Sequence, residues 1–310
     1  MRGQPIIAGV DGSVESLKAA ALACRIARAA DADCVLVYAV PELWSPDGLA
    51  PLVNSPEVFD QLVQALRHQI SHEWSGEISA AVRESLVARA GRPGVVIDEV
   101  ARERGAGLVV VGGRHHGALV RGLGGSTAHH LVRTSPVPIL IVQGSERMPR
   151  RILVATDLFG AASPTLATAR RYAERCDAQL RVLHVIEPAK FPTVVPLSLD
   201  PGVFEAQSRE AFWRLVEAEL PDVPLDDRVV RQGRIDEEIA EEAVAWRAEL
   251  VVIGSHGRGW IDRMLIGSTT ERLLNRLPTS LLVVPISQPA LRQRKPARRA
   301  KARPAGSVVL

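Results

Sequence analysis

Gly254, Gly257, Gly267, Ser268 and Thr269 form the part of this sequence best suited to hold an anion. They lie within Gly-Ser-His-Gly-Arg-Gly-Trp-Ile-Asp-Arg-Met-Leu-Ile-Gly-Ser-Thr, residues 254–269. The apolar run Leu250-Val251-Val252-Ile253 precedes this stretch and a helix-like segment from Thr270 to Leu277 follows it. A buried strand, a glycine-rich loop and a helix start, in that order, suit an anion such as phosphate. Glycine lets the backbone approach an anion closely, and the N–H groups and dipole at a helix N-terminus favour negative charge. Ser268 and Thr269 can add hydroxyl donors, and Arg258 a fork of N–H donors. Charge-assisted hydrogen bonds contribute about 1.5–3 kcal/mol each, so three or four supply most of the roughly 8 kcal/mol of a micromolar site. A structural turn followed by an ordinary serine N-cap, with Arg258 solvated, is the competing reading of the same residues.

Other reactive side chains carry weaker signals. His68 and His72 have helical i, i+4 spacing, and His115-His116 and His129-His130 flank a second glycine-rich stretch. Nothing in the local sequence provides the third ligand and supporting shell that a metal site needs, so none is assigned. Cys24, Cys34 and Cys176 form no Cys-x-x-Cys, and the first two fall in apolar-periodic segments, which reads as structural core. The Gly-x4-Gly-Lys-Ser/Thr loop of the common ATPase machinery is absent, and Asp262 reads as a solvated loop residue, so no catalytic residue is assigned.

The segments around this loop occur twice in the chain. Ile7-Ala8-Gly9-Val10-Asp11 parallels Leu153-Val154-Ala155-Thr156-Asp157, and Ala30-Asp31-Ala32-Asp33 parallels Cys176-Asp177-Ala178-Gln179. Leu108 to Gly112 parallels Leu250 to Gly254, and Gly125-Ser126-Thr127 parallels Gly267-Ser268-Thr269. Self-similarity at an offset of 146 residues at the first strand and 142 at the last loop marks two copies of one unit. In the first copy, periodicity predicts strands at Ile6–Val10, Cys34–Val40, Val82–Val87, Leu108–Gly112 and Val137–Val142. Helices are predicted over Ser16–Ala29, Glu57–Trp74, Pro93 to about Arg104, and from Ser126. The second copy predicts strands near Ile152–Thr156, Leu180–Val185, Arg228–Arg231, Leu250–Gly254 and Leu281–Val284. Alternating strands and helices call for α/β architecture: two tandem doubly wound domains, each a five-stranded parallel sheet covered on both faces. A strand order of 3-2-1-4-5 places the ends of strands one and four side by side, so Asp157 and the Gly254 loop share one crevice. The expected boundaries are 1–142, 151–286 and a tail from 287 to 310, with a short linker at Gln143–Arg150 that favours packed domains.

The pattern Gly-x2-Gly-x9-Gly-Ser, formed by Gly254, Gly257, Gly267 and Ser268, resembles the ATP-binding signature of the universal stress protein family. Together with the element order, the likeness extends over about residues 5 to 286. It implies ATP binding, read here as non-catalytic, in a stress-response regulatory module; magnesium suits the bound phosphates because it typically keeps waters and needs few protein ligands. It also implies that Ala155, Thr156, Asp157 and Val185 line the nucleoside, as Gly9, Val10, Asp11 and Ala39 would in the first copy. An ionised Asp157 can accept from a ribose hydroxyl or an adenine amine, and capping the next turn is its alternative use. The first copy keeps Gly112, Gly125, Ser126 and Thr127 but has His115 where the second signature glycine belongs. A β-carbon there opposes close approach, so ATP is expected chiefly in the second copy. Family members commonly pair through their last strand, which implies that Ile139–Val142 and Leu281–Val284 meet in an intramolecular pseudo-dimer.

At 310 residues with 46% hydrophobic and 24% charged residues, the chain belongs to the globular class and can bury two cores without disulfides or metal. No apolar run approaches the roughly 18 residues of a membrane span, and the expected location is the cytoplasm. Removing the seven basic residues between Arg292 and Arg303 from a net charge of +3 leaves −4, so the basic character belongs to the tail. That tail reads as disordered; it can attract nucleic acid or other anions, but it has no aromatic residue for base stacking. Two alternatives to an ATP-binding regulator stay open at this level: a slow magnesium-dependent ATPase and a nucleotide-independent interaction protein.

Overall fold

The computed structural model describes residues 3–40, 56–73, 85–113, 127–158, 162–187, 201–255, 267–276 and 279–285. Short apolar runs become strands and the amphipathic segments between them become helices. The first half contains β1 (Ile6–Val10), α1 (Val14–Ala29), β2 (Cys34–Val40), α2 (Pro56–Glu73), β3 (Leu86–Ala90), α3 (Pro93–Glu103), β4 (Leu108–Gly112), α4 (Thr127–Thr134) and β5 (Ile139–Val142). The second half repeats the plan with β6 (Arg151–Ala155), α5 (Ala162–Cys176), β7 (Gln179–Ile186), α6 (Pro201–Glu219), β8 (Arg228–Gln232), α7 (Ile235–Ala245), β9 (Leu250–Gly254), α8 (Ser268–Arg276) and β10 (Ser280–Val284).

All ten strands form one sheet in the order β3-β2-β1-β4-β5-β10-β9-β6-β7-β8. Within each half the strands are parallel in the expected 3-2-1-4-5 order. The halves join where β5 and β10 pair antiparallel, with Leu281 opposite Ile141 and Leu282 opposite Leu140. Strand alternation divides the core between the two faces. Ile6, Ala8 and Val10 pack on the side of α1 and α2 while Ile7 packs on the side of α3, and Val154 and Leu153 repeat the division. Both cores run across the junction, since Leu140 and Leu282 share one cluster and Ile141 and Leu281 the other.

Local conformations also repeat. Asp31 and Asp177, just after α1 and α5, both have positive φ, at 49° and 50°. Aspartate tolerates this region better than most L-residues, so the two copies solve the same helix exit in the same way. Several boundaries differ from the sequence expectation: α1 starts at Val14 rather than Ser16 and β5 at Ile139 rather than Val137, and other strand ends move by one residue. The third strand is Leu86–Ala90 rather than Val82–Val87, and the last helix starts at Ser268 rather than Thr270, so Ser268 and Thr269 belong to its first turn.

Candidate nucleotide crevice

The site begins where neighbouring strands stop pairing. β1 and β4 are in register only from Ile6–Leu108 to Ala8–Val110, although both strands continue for two further residues. β6 and β9 likewise pair only as far as Val154–Val252. Beyond that point each strand keeps its outer neighbour. Thr156 N donates to Leu183 O at 3.0 Å and Ser255 N to Val284 O at 2.8 Å, so the sheet splits between β6 and β9. This is the crevice at the strand C-termini where the winding reverses.

In the second copy Ala155, Thr156, Asp157 and Gly254 stand at the mouth of the split. Ala155, Asp157 and Gly254 are half-buried and Thr156 is buried. The Thr156 carbonyl accepts a 2.9 Å hydrogen bond from His184 Nδ1, which assigns the ring proton to that nitrogen. His184 is itself buried and stacks on Phe212 of α6, with centroids 5.9 Å apart. The Thr156 hydroxyl is buried and has no hydrogen-bond partner among the described residues. Asp157 Oδ2 is also shielded from solvent. The next residue, Leu158, has φ of 64°, a left-handed conformation that costs a non-glycine residue roughly 1–2 kcal/mol. Opposite this strand end, the Gly267 carbonyl accepts from Glu271 N at 3.0 Å and starts α8. Ser268 is exposed and Thr269 half-buried in its first turn, and Thr270 Oγ1 lies 3.5 Å from both the Gly254 and Ser255 carbonyls. α8 is anchored to α7 by Arg272 Nη1, 3.1 Å from the buried carboxylate of Asp236. Val185 is a core residue on the α7 side of the sheet, packed in the same cluster as Ala155.

The first copy uses the same positions differently. Asp11 is exposed, and its Oδ1 accepts from Ser13 N at 3.0 Å and Ser13 Oγ at 2.6 Å. Ser13 in turn caps α1 by accepting from Ser16 N. Asp11 thus organises a helix start, the structural role of aspartate at such a place. Gly12 occupies the matching left-handed position with φ of 84°, and α2 covers it through Gln69 Nε2, which donates to Gly12 O at 3.1 Å. Gly9 and Gly112 are packing glycines. A β-carbon on Gly9 would meet Ile97 Cδ1 at 2.6 Å, and one on Gly112 would meet the backbone of Glu15 and Ser16 at 2.8–3.0 Å. Val10 and Ala39 are buried in the core, and Thr127 opens α4 half-buried. Tyr38 stands where the second copy has His184; burial, and then the charge of Asp11, push its hydroxyl pKa above the ordinary value.

Gly257, Arg258, Gly125 and Ser126, together with His115 and Asp262, lie outside the described residues. His184, Phe212 and the Asp236–Arg272 pair escaped sequence reasoning. The one available signal was that His184 directly precedes Val185 at a strand end facing the crevice. His68 and His72 stack on α2 with centroids 6.1 Å apart, and no cluster of three metal-ligating residues occurs among the described residues.

Comparison with known proteins decides what this repeated frame is. The model of the universal stress protein family matches residues 3–143 and again 148–285. The chain belongs to the universal stress protein family. A universal stress protein of Mycolicibacterium smegmatis is 29% identical over 296 residues, covering 90% of this chain and 96% of that protein. The crystal structure of a universal stress protein from Archaeoglobus fulgidus covers 92% of this chain and 99% of its own, with a TM-score of 0.63 at 19% identity. That of a protein from Pseudomonas aeruginosa described as a universal stress protein covers 91% and 93%, with a TM-score of 0.60 at 22% identity. At such identities the structures speak for the fold, a tandem pair of universal stress protein units. Among the described residues no helix is long and apolar enough to cross a membrane.

Proposed function

We propose that this universal stress protein binds ATP, with magnesium, in the crevice where β6 and β9 part, and that bound nucleotide regulates a surface offered to a protein partner without being turned over. In this reading, residues 1–142 and 151–286 act as two domains of an intramolecular pseudo-dimer joined along β5 and β10. Residues 287–310 are a basic tail available to nucleic acid or other anions, and the protein works in the cytoplasm.

The observation that carries the ATP reading is Thr156, whose buried hydroxyl lacks a partner among the described residues at the end of β6. An unsatisfied buried hydroxyl costs about 1–3 kcal/mol, and a ribose or adenine group would supply the missing hydrogen bond. Asp157 would accept from the same nucleoside. The first turn of α8, with Ser268 and Thr269, would face the phosphates, where a helix N-terminus favours negative charge. Magnesium would neutralise phosphate charge while keeping most of its waters, so it needs few protein ligands. Gly257 and Arg258 complete the proposed phosphate loop on sequence grounds. The first copy fits less well, because Asp11 is engaged in capping α1.

Calorimetric titration of magnesium-ATP into nucleotide-stripped protein is expected to give one site per chain. Asp157→Ala should weaken it at least about tenfold, the loss of roughly 1.4 kcal/mol or more, whereas Asp11→Ala should leave affinity unchanged. Absence of both heat and thermal shift would overturn the proposal, and two equal sites would overturn its asymmetry.

A further inference from the structure

The first half contains a juxtaposition that the nucleotide crevice does not use. Cys24, on α1, and Cys34, the first residue of β2, place their sulfurs 3.0 Å apart. A disulfide bond is about 2.05 Å long, so roughly 1 Å of approach separates the thiols from bonding distance. Both are held by structure already formed. Cys34 is in register with Ile6 of β1, and its carbonyl accepts from Ser85 Oγ at 2.7 Å. The turn between the two cysteines is closed by Ala32 N donating to Ala27 O at 2.9 Å. Cys34 is partly exposed, while Cys24 is 8% exposed. The matching positions of the second half are Arg170 and Leu180, so the thiol pair is an addition peculiar to the first copy.

We propose that Cys24 and Cys34 are a reversible dithiol–disulfide site, oxidised by low-molecular-weight disulfides. The exposed partner reacts first. The Cys34 thiolate attacks one sulfur of the disulfide, forming a mixed disulfide and releasing one thiolate. The Cys24 thiolate then attacks the Cys34 sulfur and displaces the second. Two protein thiols are oxidised, one small disulfide is reduced to two thiols, and the two protein protons end on the released thiols. The product ties α1 to the start of β2, at the opposite end of the strands from the crevice. Cys176 is an internal control. It is buried, burial pushes its pKa up to about 11, and Tyr172 is the aromatic side chain nearest to it along the same helix. Raised thiol pKa and burial make a cysteine inert to exchange.

The test incubates the folded, full-length protein with oxidised glutathione, then alkylates it under denaturing conditions and measures intact and peptide masses. The expected result is a single alkylated cysteine, Cys176, and a cross-linked pair of peptides carrying Cys24 and Cys34, both reversed by dithiothreitol. Cys24→Ser should stop at a glutathione adduct on Cys34, Cys34→Ser should take up no glutathione, and Cys176→Ser should cross-link as the unaltered protein does. Three alkylated cysteines after oxidation, or a lasting glutathione adduct on Cys34 of the unaltered protein, would overturn the proposal. The unaltered protein alone is decisive, so the outcome does not depend on how well any variant folds.

Discussion

At Thr156 the fold uses the backbone and leaves a buried side-chain hydroxyl unused. Its backbone is fully used: the N–H donates to Leu183 and the carbonyl accepts from His184. Its hydroxyl has no partner among the described residues. Replacing threonine by valine keeps the branched shape and removes only the unsatisfied oxygen. Thr156→Val is therefore expected to leave stability unchanged or to raise it by about 1 kcal/mol, read from the denaturant midpoint, while weakening ATP binding at least about tenfold. A loss of stability with unchanged affinity would instead give the hydroxyl a folding role. The same trade appears next door. Leu158 holds a left-handed backbone where the first copy uses Gly12, and strain at such a position is commonly retained at binding sites.

At the scale of elements, the glycines that resemble a phosphate signature also have packing work to do. The first turn of α1 lies directly on Gly112, and a β-carbon there would press on backbone atoms that cannot move aside. Gly112→Ala is expected to lower stability by about 1–3 kcal/mol, as overpacking does, with the change in denaturant midpoint as the measurement; a neutral result would mean that α1 can shift outward. The glycine at the end of the fourth strand is thus explained in the first copy without any nucleotide. Strand order and the split of the sheet were legible because the inner strands are buried on both faces and read as unbroken apolar runs. β3 departs from its expected bounds because it is an edge strand, half-buried from Leu86 to Arg89 and exposed at Ala90. Its Arg89 pairs with Glu103 at 2.6 Å rather than joining an apolar stripe. The thiol pair was illegible for a different reason. Cys24 sits on a helix and Cys34 on a strand, and only the docking of one against the other brings the sulfurs together. His184 was likewise hidden, since its role depends on Phe212 from a helix that sequence alone could not orient.

For the molecule as a whole, the question is whether the linker or the sheet holds the halves together. The linker is pinned at both ends. Gln143 exchanges hydrogen bonds with Ser280, Arg25 of α1 donates to Glu146 O, and Arg150 N donates to Glu249. None of these needs the covalent connection once the β5–β10 ladder has formed. That ladder is flanked by fully buried side chains, among them Leu140, Leu281 and Leu282, and the cores on both faces cross it without a break. Apolar burial contributes about 25 cal/mol per Å² removed from water, so a seam of this kind should outweigh a short connection. A protease site inserted after the exposed Gly144 is therefore expected to yield two fragments that co-elute on gel filtration after cleavage and retain the thermal midpoint of the intact chain within a few degrees. Fragments that separate on dilution would show that the junction depends on the linker's effective concentration. In that case the regulation proposed for the second half would reach the first only while the chain is continuous. If the fragments stay together, the ten-stranded sheet holds the halves without the linker, and the ladder β6-β9-β10-β5 is the continuous backbone connection between the split in the second half and the first half.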